Sequence, residues 1–124
     1  MEQMQIDTGL EKLKEIDGRA GEVVHERIQK ISPFMADYLV GSFGEICSIP
    51  DIDNKTREIA VIGACTALGY AIPQLKVHIH AGLNVGLTRD EIIAIINTMT
   101  LYAGFPATLN ALYAAEEVFA EEGL

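Results

Sequence analysis

The chain has no tryptophan, and aromatic residues make up only 6% of its 124 positions. A core must therefore come from aliphatic side chains, which dominate a hydrophobic share of 49%. Two cysteines, Cys47 and Cys65, are too few for a disulfide framework. Cations are scarce: 9 Lys and Arg stand against 18 Asp and Glu, for a formal net charge of −9 and a pI near 4.6. With no basic cluster, neither nucleic acid nor an anionic membrane is an expected partner. The longest apolar run, around Ile59 to Leu68, is interrupted by Gly63 and Thr66 and falls short of the roughly 20 residues that a spanning helix needs. Met1-Glu2-Gln3-Met4 has neither the basic start nor the apolar stretch of a secretory leader, so a reducing cytoplasm is the expected location. No glycine-rich phosphate loop is present. His78 and His80 are two apart, and on a helix they point in different directions, which is not a chelating spacing. No metal and no cofactor is expected.

Also missing is the apolar–polar alternation of a half-buried strand. Apolar residues recur instead at three- and four-residue intervals, which predicts an all-α chain. Its length suits a single domain over residues 1–124. The mean hydropathy of +0.21 is high for a small monomer, so some apolar surface is expected to face another copy of the chain. Leu10, Leu13 and Ile16, then Val23, Val24, Ile28 and Ile31, predict helical material broken near Gly18 and Gly21. Ser32-Pro33 reads as an N-cap and first helical position, opening a second helix carried by Phe34, Tyr38 and Leu39. Asp53 or Asn54 caps a third helix running to about Gly69, and Pro73 opens a fourth ending near Gly86. Thr88 with Glu91 forms a capping box for a fifth helix whose core face is Ile92, Ile95, Ile96 and Met99. Gly104-Phe105-Pro106 stops it and starts a sixth, with Leu112, Ala115 and Phe119 as its stripe. The tail Glu121-Glu122-Gly123-Leu124 is expected to fray. The sum is a compact array of about six helices with short turns.

Several segments are more specific than this pattern. Phe43-Gly44-Glu45 is followed by Lys55-Thr56-Arg57-Glu58, Pro73-Gln74-Leu75-Lys76-Val77-His78-Ile79, Ala81-Gly82-Leu83-Asn84-Val85-Gly86-Leu87-Thr88-Arg89-Asp90-Glu91-Ile92, Tyr102-Ala103-Gly104-Phe105-Pro106-Ala107 and Asn110-Ala111. In this order the chain resembles the carboxymuconolactone decarboxylase family, whose wider superfamily includes alkylhydroperoxidase AhpD-like proteins. The resemblance implies a helical fold assembling as a trimer or hexamer, and a lyase acting on a small carboxylated lactone. The superfamily's peroxidase branch uses a Cys-x-x-Cys pair just before the histidine that His78 matches; here those positions are Ala71 and Gln74. The family often has a glutamate where this chain has Ala94, and an arginine where it has Ile49.

Two readings stand beside each other for every candidate residue. His78 lies on the apolar side of its helix near Gly82. It is either a buried, hydrogen-bonded histidine or the site histidine that the resemblance implies. Glu58 shares a face with Ile62 and Cys65. It is either a first-turn partner of the helix dipole or a site acid or base. Arg57 and Lys76 are candidate holders of a substrate carboxylate, or surface ion-pair members. Tyr102 is a packing element or a donor to an oxyanion. Cys65 reads as a small buried hydrophobe, and His80 as a solvated or interface residue. The decarboxylation is expected to need no cofactor, because the lactone carbonyl itself accepts the electrons. The expected functions are a carboxy-lyase, a peroxidase-like protein relying on Cys65 alone, or a non-catalytic oligomeric binding protein.

Overall fold

The structure, a computed structural model, describes residues 1–124 and contains no strand. Its helices are α1 (Gln3–Ile31), α2 (Pro33–Cys47), α3 (Asn54–Leu68), α4 (Ile72–Asn84), α5 (Arg89–Thr98), the single turn α6 (Thr100–Ala103) and α7 (Phe105–Glu121). No helix is long and apolar enough to cross a membrane. The chain divides into two compact units, Met1–Asn54 and Lys55–Leu124.

In Met1–Asn54, α1 packs against α2. Gly18, at φ 61 and ψ −143, breaks α1 internally, a conformation that the lack of a Cβ permits. Gly21, where a second break was expected, is helical and buried. Ser32 caps α2: its side chain accepts from the Met35 amide at 3.2 Å, and Pro33 takes the first helical position. The two helices cross at glycine. A Cβ on Gly9 would stand 1.8 Å from the Val40 carbonyl oxygen, and one on Gly44 would stand 2.5 Å from the Gly9 Cα. Main chain therefore touches main chain. Ile6, Leu13 and Val40 form the small buried cluster beside the crossing, with Leu10, Leu39 and Phe43 packed on it. The expected stripe of α2 is corrected here. Phe34 is 73% exposed and stacks on the exposed Tyr38, while Ala36, Val40, Gly41 and Gly44 are the buried face. Close backbone approach selects small residues, and the aromatic rings turn outward.

Lys55–Leu124 has an aliphatic core. Ile62 and Cys65 of α3, Leu75 and Ile79 of α4, Ile92 and Ile96 of α5, and Ala111, Ala114, Ala115, Val118 and Phe119 of α7 form one buried cluster. Burying each larger aliphatic side chain stabilises by about 1.5–3 kcal/mol. Ile95 and Leu112, expected in the core, are only half-buried. The capping box of α5 is complete, with Glu91 N to Thr88 Oγ1 at 3.0 Å and Thr88 N to Glu91 Oε1 at 2.9 Å. The α5 helix ends at Thr98, whose hydroxyl bonds back to the Ala94 carbonyl at 2.7 Å. Such back-bonding loosens a helix, and α6 follows as a separate turn.

The expected fraying of the tail is also corrected. Leu124 N donates to Phe119 O at 2.8 Å and Gly123 N to Ala120 O at 3.2 Å, with Gly123 at φ 72. That pair of bonds around a left-handed glycine is a Schellman cap. The α4 helix ends the same way, through Leu87 N to Gly82 O at 2.8 Å and Gly86 N to Leu83 O at 3.3 Å. Between α4 and α7, Lys76 pairs with Glu117 and His80 with Glu121. These contacts advance in step, so the two helices lie side by side in the same sense.

Candidate active site

Glu58 stands just past the first turn of α3, which holds no acid, and His78 midway along α4. Ile62 and Cys65 continue the Glu58 face inward, and Leu75, Ile79 and Gly82 do the same around His78. Burying those neighbours carries both polar side chains to the edge of one core. There His78 Nδ1 lies 2.6 Å from Glu58 Oε1. The Glu58 side chain is 3% exposed and that of His78 is 19% exposed. A buried carboxylate without hydrogen bonds would be costly, and the imidazole supplies one. With Nδ1–H donating to Glu58, the ring is fixed in orientation and tautomer, and Nε2 becomes the nitrogen at which a proton is exchanged.

The other candidates are placed differently. Arg57 adjoins Glu58 in the first turn of α3 and is half-buried. Lys76 turns to α7, its Nζ 2.5 Å from Glu117 Oε2. Tyr102, on α6, is 80% exposed. Ala94 is exposed on α5, and Ile49 is exposed after the end of α2. The structure thus brings Glu58 and His78 together, keeps Arg57 beside them in sequence, engages Lys76 elsewhere and leaves Tyr102 on the surface. His80 is not simply solvated: it meets Glu122 at 2.7 Å and Glu121 at 3.0 Å.

Cys65 is buried, and burial first, then the negative charge of Glu58, pushes its thiol up from the ordinary range. Little thiolate forms near neutral pH in such surroundings, and thiolate is the reactive species. Cys47 and Cys65 are both free thiols.

One buried acid escaped sequence reasoning. Asp17 of α1 is 5% exposed. Its signal was available: it lies four residues after Leu13, on that helix's buried stripe.

Comparison with known proteins adds to this geometry. Residues 34–117 match the sequence profile of the Carboxymuconolactone decarboxylase family. The chain is similar to a 4-carboxymuconolactone decarboxylase of Acinetobacter baylyi, with 34% identity over 120 residues, covering 94% of this chain and 87% of that protein. It is also similar, with 38% identity over 97 residues, to an uncharacterised 15.0 kDa protein in the nqo9-nqo10 intergenic region of Paracoccus denitrificans. That alignment covers 77% of this chain and 72% of the relative.

Proposed function

The chain belongs to the carboxymuconolactone decarboxylase family, and from that membership we propose that it is a cofactor-independent carboxy-lyase acting on a small, unsaturated, carboxylated lactone of the 4-carboxymuconolactone type. The observation that carries the reading is the 2.6 Å contact between buried Glu58 and His78, which supplies an oriented proton donor. The bond between the ring carbon and its carboxylate breaks, and carbon dioxide leaves. The electron pair moves through the double bond into the lactone carbonyl, giving an enolate. His78 then delivers a proton to carbon and is recharged from solvent, with Glu58 holding the ring and balancing its charge. The substrate is its own electron sink, so the protein has only to position it, stabilise the enolate oxygen and move one proton.

Arg57 is the proposed holder of the remaining carboxylate, because a guanidinium matches a carboxylate bidentately. Lys76 joins it only by leaving Glu117. Tyr102 reaches a substrate only where another surface covers it. Self-association, as a trimer or hexamer, is proposed on the strength of exposed large apolar side chains such as Leu101, Tyr102 and Phe105.

The test is carbon dioxide release from 4-carboxymuconolactone by the pure protein and by His78→Gln. A positioned general acid contributes about a hundredfold or more, so the variant should lose at least that much while its helical content stays unchanged. Equal release from both forms, or none from the folded unaltered protein, would overturn the proposal.

A further inference from the structure

The end of α7 concentrates acid where a helix tolerates it least. Glu116, Glu117, Glu121 and Glu122 crowd its final turns, no basic residue lies in its last turn, and the C-terminal end of a helix dipole is negative. The answering charge comes from α4. Lys76 pairs with Glu117, and one turn later His80 presents Nδ1 to Glu122 Oε1 at 2.7 Å and Nε2 to Glu121 Oε2 at 3.0 Å. A neutral imidazole has one N–H. It can donate to one of these carboxylates and must turn a lone pair toward the other. Only the imidazolium donates to both.

We propose that His80 is a proton-operated latch on the last turn of α7. With the ring charged, Glu121 and Glu122 are held against α4, and the Schellman turn at Gly123 and Leu124 is seated. With the ring neutral, the acids repel one another and the turn is released. The turn matters because Leu124, with Leu112, Phe119 and Ala120 of α7, lines one wall of a partly open groove of about 360 Å³ whose other lining residues include Arg89 and Ile93 of α5. Opening the latch unwinds that wall, so the groove between α5 and α7, already partly open to solvent with His80 against both acids, loses one side in the neutral state.

The surrounding charges assign the switching to His80. On α4 the nearest is Lys76, and on α7 they are Glu117, Glu121 and Glu122. The first turn of α5 carries Arg89, which lies over the Phe119 ring at 5.1 Å and 3.8 Å from Asp90. It also carries Glu91, held in its capping box. Lysine, arginine and carboxylate side chains ordinarily keep their charge near neutral pH, where histidine changes its own. The latch does not involve the Glu58–His78 pair, so it stands or falls apart from the proposed reaction.

Hydrogen–deuterium exchange of the segment 118–124, corrected for the intrinsic pH dependence of amide exchange, tests this at about pH 5.5 and about pH 8.5. In the unaltered chain, protection should fall roughly threefold to tenfold at the higher pH, the scale of two partly exposed charge pairs. His80→Arg keeps the charge and should stay protected at both values. His80→Gln should be equally unprotected at both. Glu121→Gln with Glu122→Gln, which leaves α4 untouched, should abolish the pH dependence, with exchange in α5 as the internal control for folding. Unchanged protection in the unaltered chain, or a His80→Arg protein that loses protection with pH as the unaltered chain does, would overturn the latch.

Discussion

In Met1–Asn54 the closest approach between helices is made by backbone, at Gly9, Val40 and Gly44. In Lys55–Leu124 it is made by interlocking side chains, with Ile62, Leu75, Ile79, Ile92 and Ile96 all fully buried. The first arrangement buries little apolar volume and leaves Met4, Ile31, Phe34 and Tyr38 exposed. The second has a many-sided core and places Glu58 and His78 at its edge. The difference separates two sources of structure. One is steric exactness at a crossing, which a single atom can spoil. The other is accumulated burial, which degrades by degrees.

The largest expected effect on stability is in the second unit. Ile79→Ala removes a fully buried side chain and should cost about 2–5 kcal/mol in denaturant unfolding. A loss below about 1 kcal/mol would mean that the core repacks as freely as a surface and would erase the contrast.

A matched pair of substitutions sharpens it further. Gly9→Ala puts a Cβ into the Val40 carbonyl and should cost about 1–3 kcal/mol, with faster amide exchange concentrated in α1 and α2. Gly63→Ala, also in a buried helix interior, would meet Met99 Sδ at an ordinary 3.5 Å. It should be neutral or stabilising by up to about 1 kcal/mol, because alanine favours the helix. The same change is thus expected to take opposite signs in the two units, and equal signs would break the comparison.

The smallest effect concerns Glu91. The backbone hydrogen bond from Thr88, then the charge of Lys55, hold its carboxyl below the ordinary range. A depressed carboxyl contributes stability that is full above its unfolded value, about 4.3, and is lost as pH falls through the folded value. The stability difference between the unaltered chain and Glu91→Gln should therefore shrink on acidification. A difference that grows would reverse the sign.

Helix existence was legible because apolar spacing and punctuation agreed. Ser32-Pro33, Thr88 with Glu91, and Gly86 each end or begin an element where expected. Facing was less legible. Phe34 and Tyr38 have the spacing of a core stripe, yet small residues won the buried side of α2, since hydrophobic period does not report how near a neighbouring backbone comes. The tail misled for a related reason. Glu121 and Glu122 suggest a solvated end, while Gly123 caps it locally and His80 reaches the two acids from 41 and 42 residues earlier. Within the candidate site, His78 and Glu58 could be nominated from their faces. Their pairing required α3 and α4 to contribute to one core. The engagement of Lys76 by Glu117 required the placement of α7.

The crossing at Gly9 also has a genetic side. Any single-base change that replaces a glycine codon's residue introduces a Cβ, and here the first atom beyond Cα already collides with the main chain of α2. Gly9 therefore has no near neighbours in sequence space. In a library of random point changes selected for folded protein it should be among the most depleted positions, whereas Gly63 should drift.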